Sequence, residues 1–367
     1  MSVFFRVDAS LQIGTGHVMR CLTLADALSS RGAECGFICR AHPGNLIEFI
    51  RKKGYHVHSL PSAPVGGASM LAATNESLLA HATWVGVSQR EDALECAVVL
   101  SEQPADCLIL DHYGLDACWE TELKPYYRKL LVIDDLADRP HQCDLLLDQT
   151  FARNPADYQT LVPADCTLLC GSQYALLRPE FASLRDCSLQ RRKGQPLGKL
   201  LITMGGVDKD NATGEVLRVL HSSKLPADCH ITVVMGPTAP WLAEVRQLAE
   251  EMPWTTTVRV GVDDMAQLMA DSDLAIGAAG STSWERCCLG LPTIMLLLAE
   301  NQTKVAQELE LAGAVKLLKS QDQVLTELPV LLDSLVSSPS LRQAMSMTAA
   351  GIVDGGGVAR IIGYLGY

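Results

Sequence analysis

The sequence predicts an α/β protein built as two Rossmann-like α/β domains facing a cleft. Three observations lead there. Short apolar runs alternate with segments of helical period along the 367 residues, the pattern of strands and helices taken in turn. Most of those runs are apolar throughout, which suits parallel strands covered on both faces. The length fits two domains better than one.

The first strand is read at Phe4–Val7. After the turn Gly14-Thr15-Gly16, the residues Val18, Cys21, Leu22, Ala25 and Leu28 recur at three- and four-residue spacing. That spacing predicts an amphipathic helix, with Gly32 as its stop. Further strands are expected at Cys35–Arg40, His56–Leu60, Cys107–Asp111, Leu130–Asp134 and Asp144–Leu147. Residues 61–105, rich in Ala and Ser, suggest only a helical excursion. The basic run from Gln190 to Pro196 breaks the pattern and reads as a linker. The expected division is therefore 1–189, a linker at 190–197, and 198–367. A second strand series follows at Lys199–Met204, His230–Met235, Thr257–Val260, Leu274–Gly277 and Thr293–Leu298.

Composition narrows the function classes. Hydrophobic residues make up 48% and charged residues 20%, ample for two cores and unlike a disordered chain. A net charge of −12 argues against a general nucleic-acid binder, which needs clustered Lys and Arg. It leaves room for one nucleotide held by a Gly-rich loop. The 13 cysteines are scattered, with no C-x-x-C pair and no zinc spacing, so they read as reduced thiols of a cytosolic protein. Met1 to Arg6 enters a strand pattern without a signal-peptide h-region. The apolar run at Ile294–Leu298 is too short to span a bilayer. The expectation is a cytoplasmic protein with no membrane partner.

Strand ends that run into Gly-rich turns are where α/β sheets bind ligands. The chain has three such loops. Gly14-Thr15-Gly16-His17 places a proton acceptor in a tight turn. Taken alone it fits equally a turn with a solvent-facing His. The third glycine of a dinucleotide fingerprint would fall at Met19, which disfavours an NAD-dependent oxidoreductase. Met204-Gly205-Gly206-Val207-Asp208, with Asn211 and Thr213 beyond, offers backbone amides to a sugar or phosphate. Its bland reading is a strand-to-helix turn capped by Asp208 or Asn211. The third loop, Gly277-Ala278-Ala279-Gly280-Ser281-Thr282-Ser283, opens a helix suited to a diphosphate. Glu285, one turn in, can accept hydrogen bonds from ribose hydroxyls or serve only as a dipole partner. Asn301-Gln302 would reach the same place, or else cap a helix. Arg6 and Asp8 end the first strand, and Asp111-His112-Tyr113 ends another. Asp134 and Asp135 read as caps. His56 and His58 share a strand face without a third ligand, so no metal is expected.

At this point the residues resemble a family. The run from Arg6 through Gly14-Thr15-Gly16-His17 to Arg20 resembles the opening of the PseG family. These are the UDP-2,4-diacetamido-2,4,6-trideoxy-β-L-altropyranose hydrolases of pseudaminic acid biosynthesis. Asp111-His112-Tyr113-Gly114, Ile133-Asp134-Asp135, Tyr174-Ala175-Leu176-Leu177-Arg178, Met204-Gly205-Gly206 and Asn301-Gln302 agree in order. The third loop resembles the wider MurG-like group, which shares the glycosyltransferase B fold. The resemblance implies UDP in the second domain, its diphosphate at Gly280, Ser281 and Thr282 and its ribose at Glu285. It implies His17 as the base that activates water and Tyr113 as a positioning residue by the sugar or water. Further substrate-binding candidates are Arg6, Asp8, Gly14, Gly16, Arg20 and Asp111 in the first domain. In the second they are Gly205, Gly206, Asn211, Ala279, Asn301 and Gln302. No cofactor is implied, and the product would pass to a downstream sialic-acid-like synthase. Two alternatives stand beside this: a glycosyltransferase using a UDP-amino sugar, and a non-catalytic nucleotide-sugar-binding module.

Overall fold

Two all-parallel sheets form the frame, each in its own unit of chain. The computed structural model describes residues 1–62 and 79–366. One unit comprises Met1–Leu176 with Gly357–Tyr367, and the other Leu177–Gly356.

The first sheet holds β1 (Ser2–Val7), β2 (Glu34–Arg40), β3 (His56–Leu60), β4 (Ala105–Asp111), β5 (Tyr127–Ile133), β6 (Leu145–Asp148) and β7 (Thr167–Cys170). Their order is β3-β2-β1-β4-β5-β6-β7. β1 pairs with β2 on one side and β4 on the other, with Val7 opposite Asp111. Its apolar residues serve two cores. Val3, Phe5 and Val7 meet Val18, Leu22 and Leu28 of the helix Gly16–Ser29, while Phe4 meets Leu108 and Trp119 on the other face. This double burial is why the strand reads as one apolar run. The chain order reverses between β1 and β4, so a crevice opens outside their carboxyl ends.

The second sheet holds β8 (Lys199–Thr203), β9 (His230–Met235), β10 (Thr255–Val260), β11 (Leu274–Ala278), β12 (Thr293–Leu296) and β13 (Val315–Leu318). The order β10-β9-β8-β11-β12-β13 reverses between β8 and β11. The loops after those two strands are the second and third Gly-rich loops.

The structure departs from the sequence reading in three places. The basic run at 190–197 is not a solvated linker, because the helix Pro179–Arg191 runs into it. The Arg192 guanidinium is buried against the carbonyls of Met269, Ser272 and Leu289. Residues 357–365 do not stay with the second unit. They form a helix whose Ile361, Ile362 and Leu365 complete the core around β1. Two strands were not anticipated: β7 and β13 are four residues each, and Lys316 interrupts the apolar run of the latter. Of the stretch 61–105, residues 63–78 lie outside the described residues, and Gln89–Glu102 is the expected helix.

The returning helix is held close. A Cβ at Gly357 would lie 2.2 Å from the carbonyl oxygen of Ala175, whereas a Cβ at Gly363 would meet nothing within 4 Å. Gly363→Ala is expected to raise stability by about 0.5–1 kcal/mol through helix propensity, and Gly357→Ala to lower it by more than about 1 kcal/mol because backbone must move. Urea titration of both variants checks this. Equal effects at the two positions would contradict the close approach.

Candidate functional site

The first crevice is organised by a carboxylate. Asp111, the last residue of β4, is fully buried. Arg20 grips it with two bonds, Nε to Oδ2 at 2.6 Å and Nη2 to Oδ1 at 2.7 Å. Burial alone would raise the Asp111 pKa, but Arg20 and then His17 outweigh it and hold the group far below the usual carboxylate range. An ionised carboxylate only accepts. The contact between Asp111 Oδ1 and His17 Nδ1 at 2.5 Å therefore puts the imidazole proton on Nδ1. Arg20 Nη2 also approaches Nδ1, but at 3.4 Å it is the weaker influence. In the neutral imidazole that tautomer leaves Nε2 with the lone pair, and among the described residues Nε2 makes no hydrogen bond.

Local sequence sets this geometry. Gly14 takes φ +78° and its N–H closes onto Ser10 O, while Ser10 Oγ accepts from Gln12 and Ile13. The turn delivers Gly16 as the first helical residue, so His17 and Arg20 lie one turn apart on the same helix. Tyr113 stands edge-on to His17, with centroids 4.6 Å apart at 81°, and its hydroxyl donates to Asp135 Oδ2 at 2.7 Å. Burial, then the Asp135 charge, pushes the phenol well above its ordinary value, so it stays a donor. Arg20 Nη1 reaches the same Asp135 oxygen at 2.5 Å. Asp135 is thus an anchor of the site and not the cap expected from sequence. Asp134 does cap its loop, accepting from Ala137 N–H and the Tyr158 hydroxyl.

Two aromatic residues join unannounced. Trp84 lies 5.8 Å from Tyr113 and 6.4 Å from His17, and His81 lies 4.4 Å from Trp84. They come from the stretch whose pattern was least legible. Arg6 and Asp8 sit behind the crevice. Arg6 is fully buried, bonded to Asp92 at 3.0 and 2.6 Å and paired with Asp8 at 2.7 Å. Asp8 Oδ1 takes the Arg40 N–H, and Oδ2 faces His112 Nε2 at 3.4 Å. These two residues tie β1 to its neighbours.

In the second unit, Gly205 adopts φ +92° after β8. Gly206 touches Gly236 so closely that a Cβ on the latter would lie 2.0 Å from Gly206 O. Asn211, in the left-handed region, spends its side chain as a cap, with Oδ1 accepting from Gly214 N–H. The third loop runs from β11 into the helix Thr282–Cys288. Ala279 N–H bonds Leu296 O, and Ser283 N–H bonds Gly280 O. Gln302 Nε2 lies 3.9 Å from the Cβ position of Gly280, and its Oε1 is buried without a partner among the described residues. Asn301 beside it is exposed. Glu285 keeps some solvent contact, yet burial pushes its carboxyl up to about 7 against the pull of Arg178 and Arg286. Among the described residues no three His, Cys, Asp or Glu side chains converge as a metal site, and no helix is long and apolar enough to cross a membrane.

Residues 200–355 match the model of the glycosyltransferase family 28 C-terminal domain. The chain is 29% identical over 316 residues to the UDP-2,4-diacetamido-2,4,6-trideoxy-beta-L-altropyranose hydrolase of Campylobacter jejuni, covering 85% of this chain and 97% of that one. It is 28% identical over 196 residues to the spore coat polysaccharide biosynthesis protein SpsG of Bacillus subtilis, covering 53% and 57%. Acinetobacter baumannii MurG shares the fold with a TM-score of 0.67 at 16% identity, covering 99% of both chains. A Staphylococcus aureus MnaA–UDP co-structure gives 0.61 at 12% identity.

Asp111→Asn is expected to cost about 3–5 kcal/mol at pH 7, since it leaves Arg20 buried and half-paired. The folded Asp111 pKa is depressed, so its contribution is present above the unfolded value and lost as pH falls below about 4. The stability gap between wild type and variant should therefore shrink between about pH 5 and pH 3. A gap independent of pH, in urea titrations across that range, would contradict the pairing.

Proposed function

We propose that this protein hydrolyses UDP-2,4-diacetamido-2,4,6-trideoxy-β-L-altropyranose to UDP and the free sugar. The observation that carries the reading is the His17 imidazole. Its Nδ1 proton is held by a buried carboxylate and its Nε2 is left to accept a proton. Such a base suits attack by water on a carbon whose leaving group needs no further activation. The likeness to the Campylobacter jejuni hydrolase over most of both chains supports the same reaction.

In this reading a water oxygen attacks the anomeric carbon opposite UDP. The bond from that carbon to the diphosphate oxygen breaks, and UDP leaves with the electron pair. The water's proton passes to His17 Nε2, and Asp111 stabilises the resulting imidazolium through Nδ1. The configuration at the anomeric carbon inverts. Tyr113, with its hydroxyl committed to Asp135, fixes the plane of the imidazole. UDP is assigned to the second unit. The loop at Gly280, Ser281 and Thr282 takes the diphosphate, Glu285 the ribose hydroxyls, and Gly205, Gly206 and Gln302 adjoin. The reaction is placed in the cytoplasm, with the product handed to a synthase that condenses it further. A second reading, transfer of the sugar to an acceptor, draws on the family 28 domain match.

Incubation with the substrate alone, followed by NMR of the anomeric proton, is expected to yield UDP and the inverted sugar. Substrate consumed only after an acceptor is added would favour transfer. His17→Ala should lower turnover by about 10²–10⁴-fold with UDP affinity nearly unchanged; wild-type turnover would remove His17 from its role. Glu285→Ala should weaken UDP by about 1–3 kcal/mol. Because an ionised carboxylate is the stronger acceptor for ribose hydroxyls and burial pushes the Glu285 carboxyl up to about 7, UDP affinity should rise between about pH 6 and pH 8. Glu285→Gln should flatten that rise, and calorimetry on both proteins separates it from the titration of UDP itself.

A further inference from the structure

The buried arginines of the first unit have carboxylate partners: Arg6 has Asp92, Arg20 has Asp111, and Arg139 has Asp134. In the second unit Arg192, Arg342 and Arg286 have none among the described residues: Arg192 and Arg342 are held by backbone carbonyls, and what sets Arg286 apart is that it stands at the Gly-rich loop after β11. It is 1% exposed, and among the described residues no carboxylate lies within ion-pair reach of its guanidinium. Its Nη2 donates to Ala278 O at 2.7 Å and Ser283 Oγ at 3.2 Å, and its Nη1 donates to Thr282 Oγ1 at 3.2 Å. Its Nε has no partner among the described residues. Burial pulls the group down to about 10, so it remains a cation at neutral pH.

A charge withdrawn from water without a counter-charge is costly, and this one is deliberately accommodated. A Cβ at Gly277 would lie 2.6 Å from Arg286 Nη1 and 2.9 Å from Thr203 O. Only glycine on that strand admits the guanidinium. The three groups it holds all belong to one loop, residues 278–283. Thr282 Oγ1 accepts from the cation, which leaves its own O–H to donate outward.

We propose that Arg286 supplies the standing counter-charge for the diphosphate of a nucleoside diphosphate bound at loop 278–283, acting through that loop as a positioning residue. This rests on the assignment of UDP to the second unit. The arriving anion brings opposite charge to the loop that the cation holds, and the buried cation is poorly screened by salt.

The test is calorimetry of UDP and of uridine on wild type, Arg286→Met, Arg286→Lys and Gly277→Ala. Arg286→Met is expected to weaken UDP at least tenfold and uridine by less than about twofold, with Arg286→Lys between wild type and Met. Gly277→Ala, which displaces the guanidinium but keeps its charge, should also weaken UDP selectively. It carries the test if Arg286→Met does not fold. Equal losses for UDP and uridine would reduce Arg286 to loop packing, and unchanged UDP affinity would overturn the proposal outright. A wild type that binds no UDP would instead sink the assignment of the ligand.

Discussion

The arrangement around His17 depends on one buried carboxylate. Asp111 could not remain ionised at the end of β4 without Arg20, and without an ionised Asp111 the tautomer of His17 would not be defined. The same arginine reaches Asp135, which in turn receives the Tyr113 hydroxyl. The ends of two strands, β4 and β5, and one helix are thereby fixed by a single guanidinium. Bidentate geometry makes this possible, since a lysine presents no planar fork.

The second unit handles charge differently. Where the first neutralises each buried cation internally, the loop after β11 retains a cation with carbonyl and hydroxyl partners only. Both solutions sit at the point where strand order reverses. The topology creates two equivalent crevices, and side-chain chemistry alone distinguishes them: one holds an imidazole bound to a carboxylate, the other a guanidinium bound to carbonyl and hydroxyl oxygens.

Most of the sheet framework was legible because buried parallel strands are apolar on both faces. His56–Leu60 and His230–Met235 match the sequence reading residue for residue. Four-residue edge strands such as β13 were not legible, since so short a run with Lys316 in it carries no period. His17, Arg20, Asp111 and Tyr113 could be found from loop chemistry and resemblance, and they do converge. Asp135 could not be separated from its capping neighbour, because two adjacent aspartates differ only in which side of the strand end they face. Trp84 and His81 lie in a segment without pattern. Arg286 carries no signal in the sequence, which does not reveal that Gly277 opens space beside it.

The helix at 357–365 has a consequence for how the protein is made. Ile361, Ile362 and Leu365 belong to the core around β1, yet the ribosome delivers them only after the whole second unit has been synthesised. During translation the first sheet must wait, its face over β1 incompletely covered, while the later sheet is already able to close. Completion of the two cores can then run opposite to the order of synthesis, and until the last helix arrives the face over β1 exposes apolar surface of the kind that chaperones bind.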